Sequence, residues 1–169
     1  TIGSFSKTFG MTGWRVGYIF GNSLFFNQAI KVQDATAICA PIISQVAATA
    51  ALNVFETFSQ THTQELTERR QLLSATISEI PSLNWSRTSG GLFAFIRSEY
   101  VPVDKELSLD ILDSVGVLTI PGSAFGRQWS KYLRLSYGAS SRTQFETALV
   151  RLRGYFDKSS HVQSTVNVL

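Results

Sequence analysis

A lysine set among glycines and hydroxyls constrains this chain more than any other feature. The first twenty residues read TIGSFSKTFGMTGWRVGYIF. Lys7 directly follows Ser6, Ser4 stands three residues before it, and Arg15 comes eight residues after it. With Gly3, Gly10, Gly13 and Gly17 spaced through the stretch, the pattern reads as strand, tight turn and next strand. Residues 1–7 are expected to finish a strand, with Lys7 at or just past its C-terminal end. Open α/β sheets place ligands at that edge. Residues 15–20 form a short apolar run of the kind found in a buried strand.

The residue types suggest a chemistry. A lysine in partly desolvated surroundings, beside another cation, loses part of its preference for the charged form. Its neutral amine can then attack a carbonyl and hold it as a Schiff base. Serine hydroxyls, loop amides and an arginine fork are the donors a phosphate needs. Pyridoxal 5′-phosphate (PLP) carries both an aldehyde and a phosphate, and its ring is an electron sink for amino-acid chemistry. A lone lysine in a Gly/Ser loop is ordinarily a solvated surface residue, and spacing alone does not decide between the two readings.

Ser4-Phe5-Ser6-Lys7, followed by Gly13-Trp14-Arg15-Val16-Gly17-Tyr18, closely resembles the S-x-S-K-x(5)-G-x-R-x-G-Y signature of class I/II aminotransferases, which are fold-type I PLP enzymes. The resemblance implies that Lys7 carries the cofactor, that Ser4 and Arg15 bind its phosphate, and that Ser6 lies against the lysine in the same turn. Ala40-Pro41, Ser44-Gln45, Ala47-Ala48 and Ala51-Leu52 look like a helix-start segment of the same family, where Cys39 and Gln45 read as structural. Glu68-Arg69-Arg70 is similar to the family's Y-x-x-R-R-D segment, although Leu66 stands at its tyrosine and Gln71 at its aspartate. Gly90-Gly91-Leu92-Phe93 is similar to a P-x-G-[AG]-[FL]-[FY] element without the proline, and Pro121-Gly122-Ser123-Ala124-Phe125-Gly126 matches P-G-x-x-F-G throughout. Arg134, in Tyr132-Leu133-Arg134-Leu135-Ser136, falls where the family places the arginine that binds the substrate α-carboxylate. On residue type alone, an arginine on the exposed face of an edge strand explains the pattern equally well.

The remaining chain reads as α/β. A helix is expected over residues 24–35 with Ser23 as N-cap, then a loop over 34–41 ended by Pro41. Apolar positions at three and four predict helices over 42–58 and 61–80, with Pro81 stopping the second. The run after Gly90-Gly91 predicts a strand over 85–97 in a second, smaller sheet. A helix over 104–115 ends at Gly116, and strand followed by turn occupies 117–126. Another strand covers 132–137. A helix over 141–156 opens with a Ser141/Gln144 capping box. With the family, this implies the C-terminal half of a fold-type I transferase: residues 1–60 closing the large-domain sheet, a linking helix over 61–82, a small α+β domain over 83–158 and a frayed tail over 159–169.

The chain has 169 residues, of which 44% are hydrophobic and 16% charged, a composition suited to a real core. Its formal charge of +3 is spread without a polybasic block, which gives no support to nucleic-acid or membrane-surface binding. The longest uncharged stretch, 35–55, is broken by Pro41, Gln45 and Asn53, so no membrane span is expected. The single cysteine, Cys39, suits a reducing, cytoplasmic setting. His62 and His161 lack any metal-ligand pattern, and no metal is expected.

The resemblance therefore implies transfer of an amino group from an amino acid to a 2-oxo acid, with PLP as cofactor and a homodimer as the assembly. Related readings of the same fold stay open. A PLP-dependent lyase or synthase shares both the lysine motif and the carboxylate arginine. The PLP-binding effector domain of a transcription regulator uses a similar Ser-Lys turn, with its arginine seven residues after the lysine rather than eight.

Overall fold

β1 (Ile2–Ser4) and β2 (Gly17–Ile19) pair antiparallel, with Ile2 opposite Ile19 and Ser4 opposite Gly17. The computed structural model describes residues 1–99 and 105–166, and side chains as far as Lys158. β1 is shorter than its sequence suggests. The Ser4 hydroxyl accepts the Ser6 N–H at 3.1 Å, which turns the chain into the single helical turn α1 (Phe5–Thr8). Lys7 thus lies within a helical turn, not at the end of a strand. β2 starts at Gly17 rather than residue 15, because a 3₁₀ turn over Thr12–Trp14 leaves Arg15 in left-handed backbone at φ 51°.

α2 (Ser23–Ala37) is capped by Asn22, whose Oδ1 accepts the Phe25 N–H at 2.9 Å; Ser23 is the first helical residue instead of the cap. The helix runs past residue 35 and shortens the expected loop to 38–41. Two long helices follow, but their break falls at Val54 rather than near residue 60. α3 (Ile42–Asn53) ends where the Val54 N–H bonds Ala51 O at 3.2 Å, and α4 (Phe55–Ser78) starts at once. The apolar periodicity carries straight through this break, so the pattern does not mark it.

The chain forms two compact units, Thr1–Gln64 and Glu65–Leu169. In the first, Phe5, Met11, Val16 and Ala48 are buried together, with Phe9, Ala47 and Ala51 packed against them. Small side chains on α3 let that helix approach the lysine turn closely.

The second unit holds a four-stranded antiparallel sheet in the order β3 (Leu83–Asn84), β4 (Phe93–Ser98), β6 (Tyr132–Ser136), β5 (Ile120–Pro121). The strand expected from residue 85 begins only at Phe93, after Gly91 turns the chain at φ 89°, and β3 is an additional short strand. Ala94, Ile96, Leu133 and Leu135 point from the sheet into the core. There they meet Leu73 and Ile77 of α4, Leu107 and Ile111 of α5 (Lys105–Val115), and Leu149 and Leu152 of α6 (Arg142–Val166). Asp104, read as the first residue of α5, lies outside the described residues. α6 opens with the capping box: Ser141 N–H donates to Gln144 Oε1 at 3.1 Å, and Gln144 N–H donates to Ser141 Oγ at 3.3 Å. It continues to Val166, into the stretch read as a frayed tail, since extending an existing helix needs no new nucleus. No helix among the described residues is long and apolar enough to cross a membrane.

Candidate active site

Four of the five residues singled out from the sequence lie in the first unit, at the end of β1 and in the connection from β1 to β2. Ser4 ends β1, while Ser6 and Lys7 occupy α1. Arg15 stands two residues before the hairpin's return strand. Lys7 is exposed in this chain and its amine makes no hydrogen bond or ion pair with a described residue, so these residues alone do not supply the partly desolvated setting expected for it. Thr12 ties the loop together. Its Oγ1 donates to Ser6 O at 3.2 Å, and its carbonyl accepts from Arg15 Nη1 at 3.0 Å. The lysine turn and the arginine turn are thus joined through a single residue that the sequence reading passed over. Its signal was modest: one more hydroxyl between Lys7 and Arg15.

Close backbone approach makes the hairpin depend on glycine. A Cβ on Gly17 would lie 2.7 Å from Gly3 O, nearer than atoms can pack. The loop keeps donors for an anion. Ser4 Oγ spends a lone pair on Ser6, which leaves its O–H free to donate. Arg15 commits Nη1 to Thr12 and keeps other N–H groups unspent among the described residues. An unpaired amine, a free hydroxyl and an arginine with donors to spare form a donor set that fits an aldehyde bearing a phosphate, so PLP is compatible with these residues.

Arg134 lies in the second unit, on β6. That strand has neighbours on both sides, so the edge-strand explanation for this arginine does not apply. Arg134 is half-buried and faces away from the core, directly across from Phe95 in the ladder. Its guanidinium lies 4.5 Å from the Phe93 ring centre and 4.9 Å from that of Phe125. Phe125 comes from the Pro121–Gly126 motif. In that motif Gly122 is buried where a Cβ would sit 2.0 Å from Trp129 O, so only glycine fits. The roles of Phe93 and Phe125 beside Arg134 were not read from sequence, because cross-strand register depends on tertiary pairing.

The family model for class I and II aminotransferases matches residues 1–152. This chain belongs to that family. Aspartate aminotransferase of Rhizobium meliloti (strain 1021) is 31% identical over 171 residues, which cover 95% of this chain and 41% of that protein. The aromatic aminotransferase ISS1 of Arabidopsis thaliana is 32% identical over 162 residues, covering 94% and 41%. The crystal structure of an aromatic aminotransferase from Pyrococcus horikoshii OT3 superimposes with a TM-score of 0.85 at 29% identity, over 95% of this chain and 43% of that one. The aminotransferase chain therefore has the α/β fold of the fold-type I enzymes. It spans about two fifths of the length of these relatives.

Proposed function

We propose that this aminotransferase chain provides the lysine, phosphate-binding and carboxylate-binding residues of a PLP-dependent enzyme that moves an amino group from an amino acid to a 2-oxo acid. The observation that carries the reading is the Thr12-linked loop, which holds Ser4, Ser6, Lys7 and Arg15 in one hairpin. When bound, PLP supplies the aldehyde that takes up the amino group and the ring that withdraws electrons from the breaking bond. Lys7 would be the amine that holds the cofactor, and its Nζ would take a proton from the substrate Cα and return one to the product. Arg15, with the Ser4 hydroxyl, binds the phosphate, and Ser6 supports the lysine turn. Arg134 offers its planar fork to the substrate α-carboxylate.

Residues 1–60 are read as the close of a large domain, 61–82 as the linking helix, 83–158 as a small α+β domain and 159–169 as its tail. Apolar residues left exposed on α2 and α3, such as Ile30 and Ile42, support further assembly, read here as a homodimer. The single cysteine supports a cytoplasmic setting. Relatives named for aspartate and for aromatic substrates both match, so the substrate is given only as an amino acid and a 2-oxo acid.

The test uses the full-length protein with PLP, an amino donor and a panel of 2-oxo acids. Wild type should form the new amino acid in step with the new oxo acid, and Lys7→Ala should lose at least about a thousandfold of that turnover while still binding PLP. Elimination products in place of the new amino acid would move the assignment to a lyase. Retained turnover in Lys7→Ala would remove Lys7 from its role.

A further inference from the structure

Arg69 and Arg142 of the second unit are held in one way, and Arg134 in another. Arg69 commits Nη2 to Glu65 and Nη1 to Tyr137 O and Ser140 O. Arg142 spends its own on Glu68 and Glu146. Arg134 is half-buried, yet its guanidinium makes no hydrogen bond or ion pair with a described residue; the aromatic rings of Phe93 and Phe125 hold it. A ring face attracts a guanidinium through the ring quadrupole and consumes no N–H. Each ring has its own support. Phe93 stands on β4 across from Ser136, on the same sheet face as Arg134. Phe125 meets Phe95 edge-on at 5.8 Å, and Phe95 stacks on Tyr132 at 4.7 Å.

We propose that Phe93 and Phe125 are positioning residues for carboxylate binding: they clamp the Arg134 guanidinium by its π-surface and leave its N–H edge for a substrate carboxylate. The proposal rests on the carboxylate role given to Arg134 above. Its physical basis is pre-organisation. A free arginine side chain loses much rotamer freedom when it binds an anion, and a clamped one has already lost it. A carboxylate-paired arginine would be equally ordered but would have its donors occupied.

Steady-state kinetics of the full-length holoenzyme distinguish the outcomes. Phe93→Leu and Phe125→Leu should each raise KM for the amino acid roughly 3-fold to 30-fold, with a smaller fall in kcat and unchanged PLP absorbance. Phe125→Tyr, which keeps the ring, should restore KM to within about 2-fold of wild type. Arg134→Lys serves as the reference and should raise KM more than either leucine variant. If Arg134→Lys raises KM and the leucine variants do not, the clamp is wrong and the carboxylate role stands. If Arg134→Lys leaves KM unchanged, the carboxylate role falls and the clamp falls with it. If kcat, KM and cofactor absorbance all deteriorate together in both leucine variants and Phe125→Tyr gives no rescue, the rings are merely structural and the proposal is overturned.

Discussion

Arg15 and Arg134 both keep donors available, by opposite means. At Arg15 the backbone does the work: a left-handed φ of 51° follows the 3₁₀ turn, and the Thr12 carbonyl takes one N–H. Such a conformation is uncommon for a residue with a Cβ and persists where surrounding bonds over-determine it. Thr12 makes both of the bonds that matter here. Thr12→Val removes the hydroxyl that reaches Ser6 O and leaves the carbonyl in place. An exposed hydrogen bond contributes about 0.5–1.5 kcal/mol, so PLP affinity should fall roughly 2-fold to 10-fold in a spectroscopic titration of the full-length protein. An unchanged affinity would mean that the two turns hold their places without Thr12. Lys7, Ser4, Ser6 and Arg15 could be picked out as candidates from residue types at fixed offsets, and Arg134 only from its likeness to a family motif. Thr12, Phe93 and Phe125 were not, because their roles come from what they touch.

At the scale of elements, local chemistry read well at the start of α6 and the end of α5. The Ser141/Gln144 capping box formed as read, and Gly116 ends α5 at φ 68° with its N–H on Leu112 O at 2.9 Å. Ser141→Ala should therefore destabilise the second unit by about 1 kcal/mol, visible as a lower denaturation midpoint at constant m-value. No shift would show that packing of α6 alone fixes its start. Boundaries set by competition between neighbouring choices read less well. Asn22 captured the cap of α2 from Ser23, and Ser4 ended β1 by capping α1. The break at Val54 was invisible, since apolar positions continue on both sides of it. β3 was invisible because a two-residue strand has no periodicity, only a partner in β4.

Over the whole molecule, the two units differ in how much apolar surface they bury. The second joins helices and sheet around fully buried Leu73, Ile96, Leu107 and Ile111, all 0% exposed. The first has a small cluster around Phe5, and α2 buries no residue at all. Local opening is cheapest where few apolar contacts resist it. In this chain expressed as it stands, amides of α2 should exchange with solvent at least about tenfold faster than those of β4 and β6. Equal protection would mean that α2 is held by contacts that its exposure does not suggest.

The sequence by itself placed a lysine, its serines and an arginine at fixed offsets within a few residues, which are local facts, and the likeness of these and later motifs to class I/II aminotransferases carried the expectation of fold and chemistry. The sequence also marked the buried faces of α4 and α5 through Leu73, Ile77, Leu107 and Ile111, since a period near 3.6 is a property of neighbours along the chain, but not that of α3, where Ser44 and Ala48 are buried and Ile43 and Val46 are exposed. Tertiary structure decided that Arg134 stands on an interior strand, that Phe93 comes from a distant strand and Phe125 from the preceding turn to meet it, and that Thr12 joins the two halves of the hairpin loop. These are matters of register and packing. A contact between residues forty positions apart depends on how strands pair, and strand pairing is a property of the folded chain.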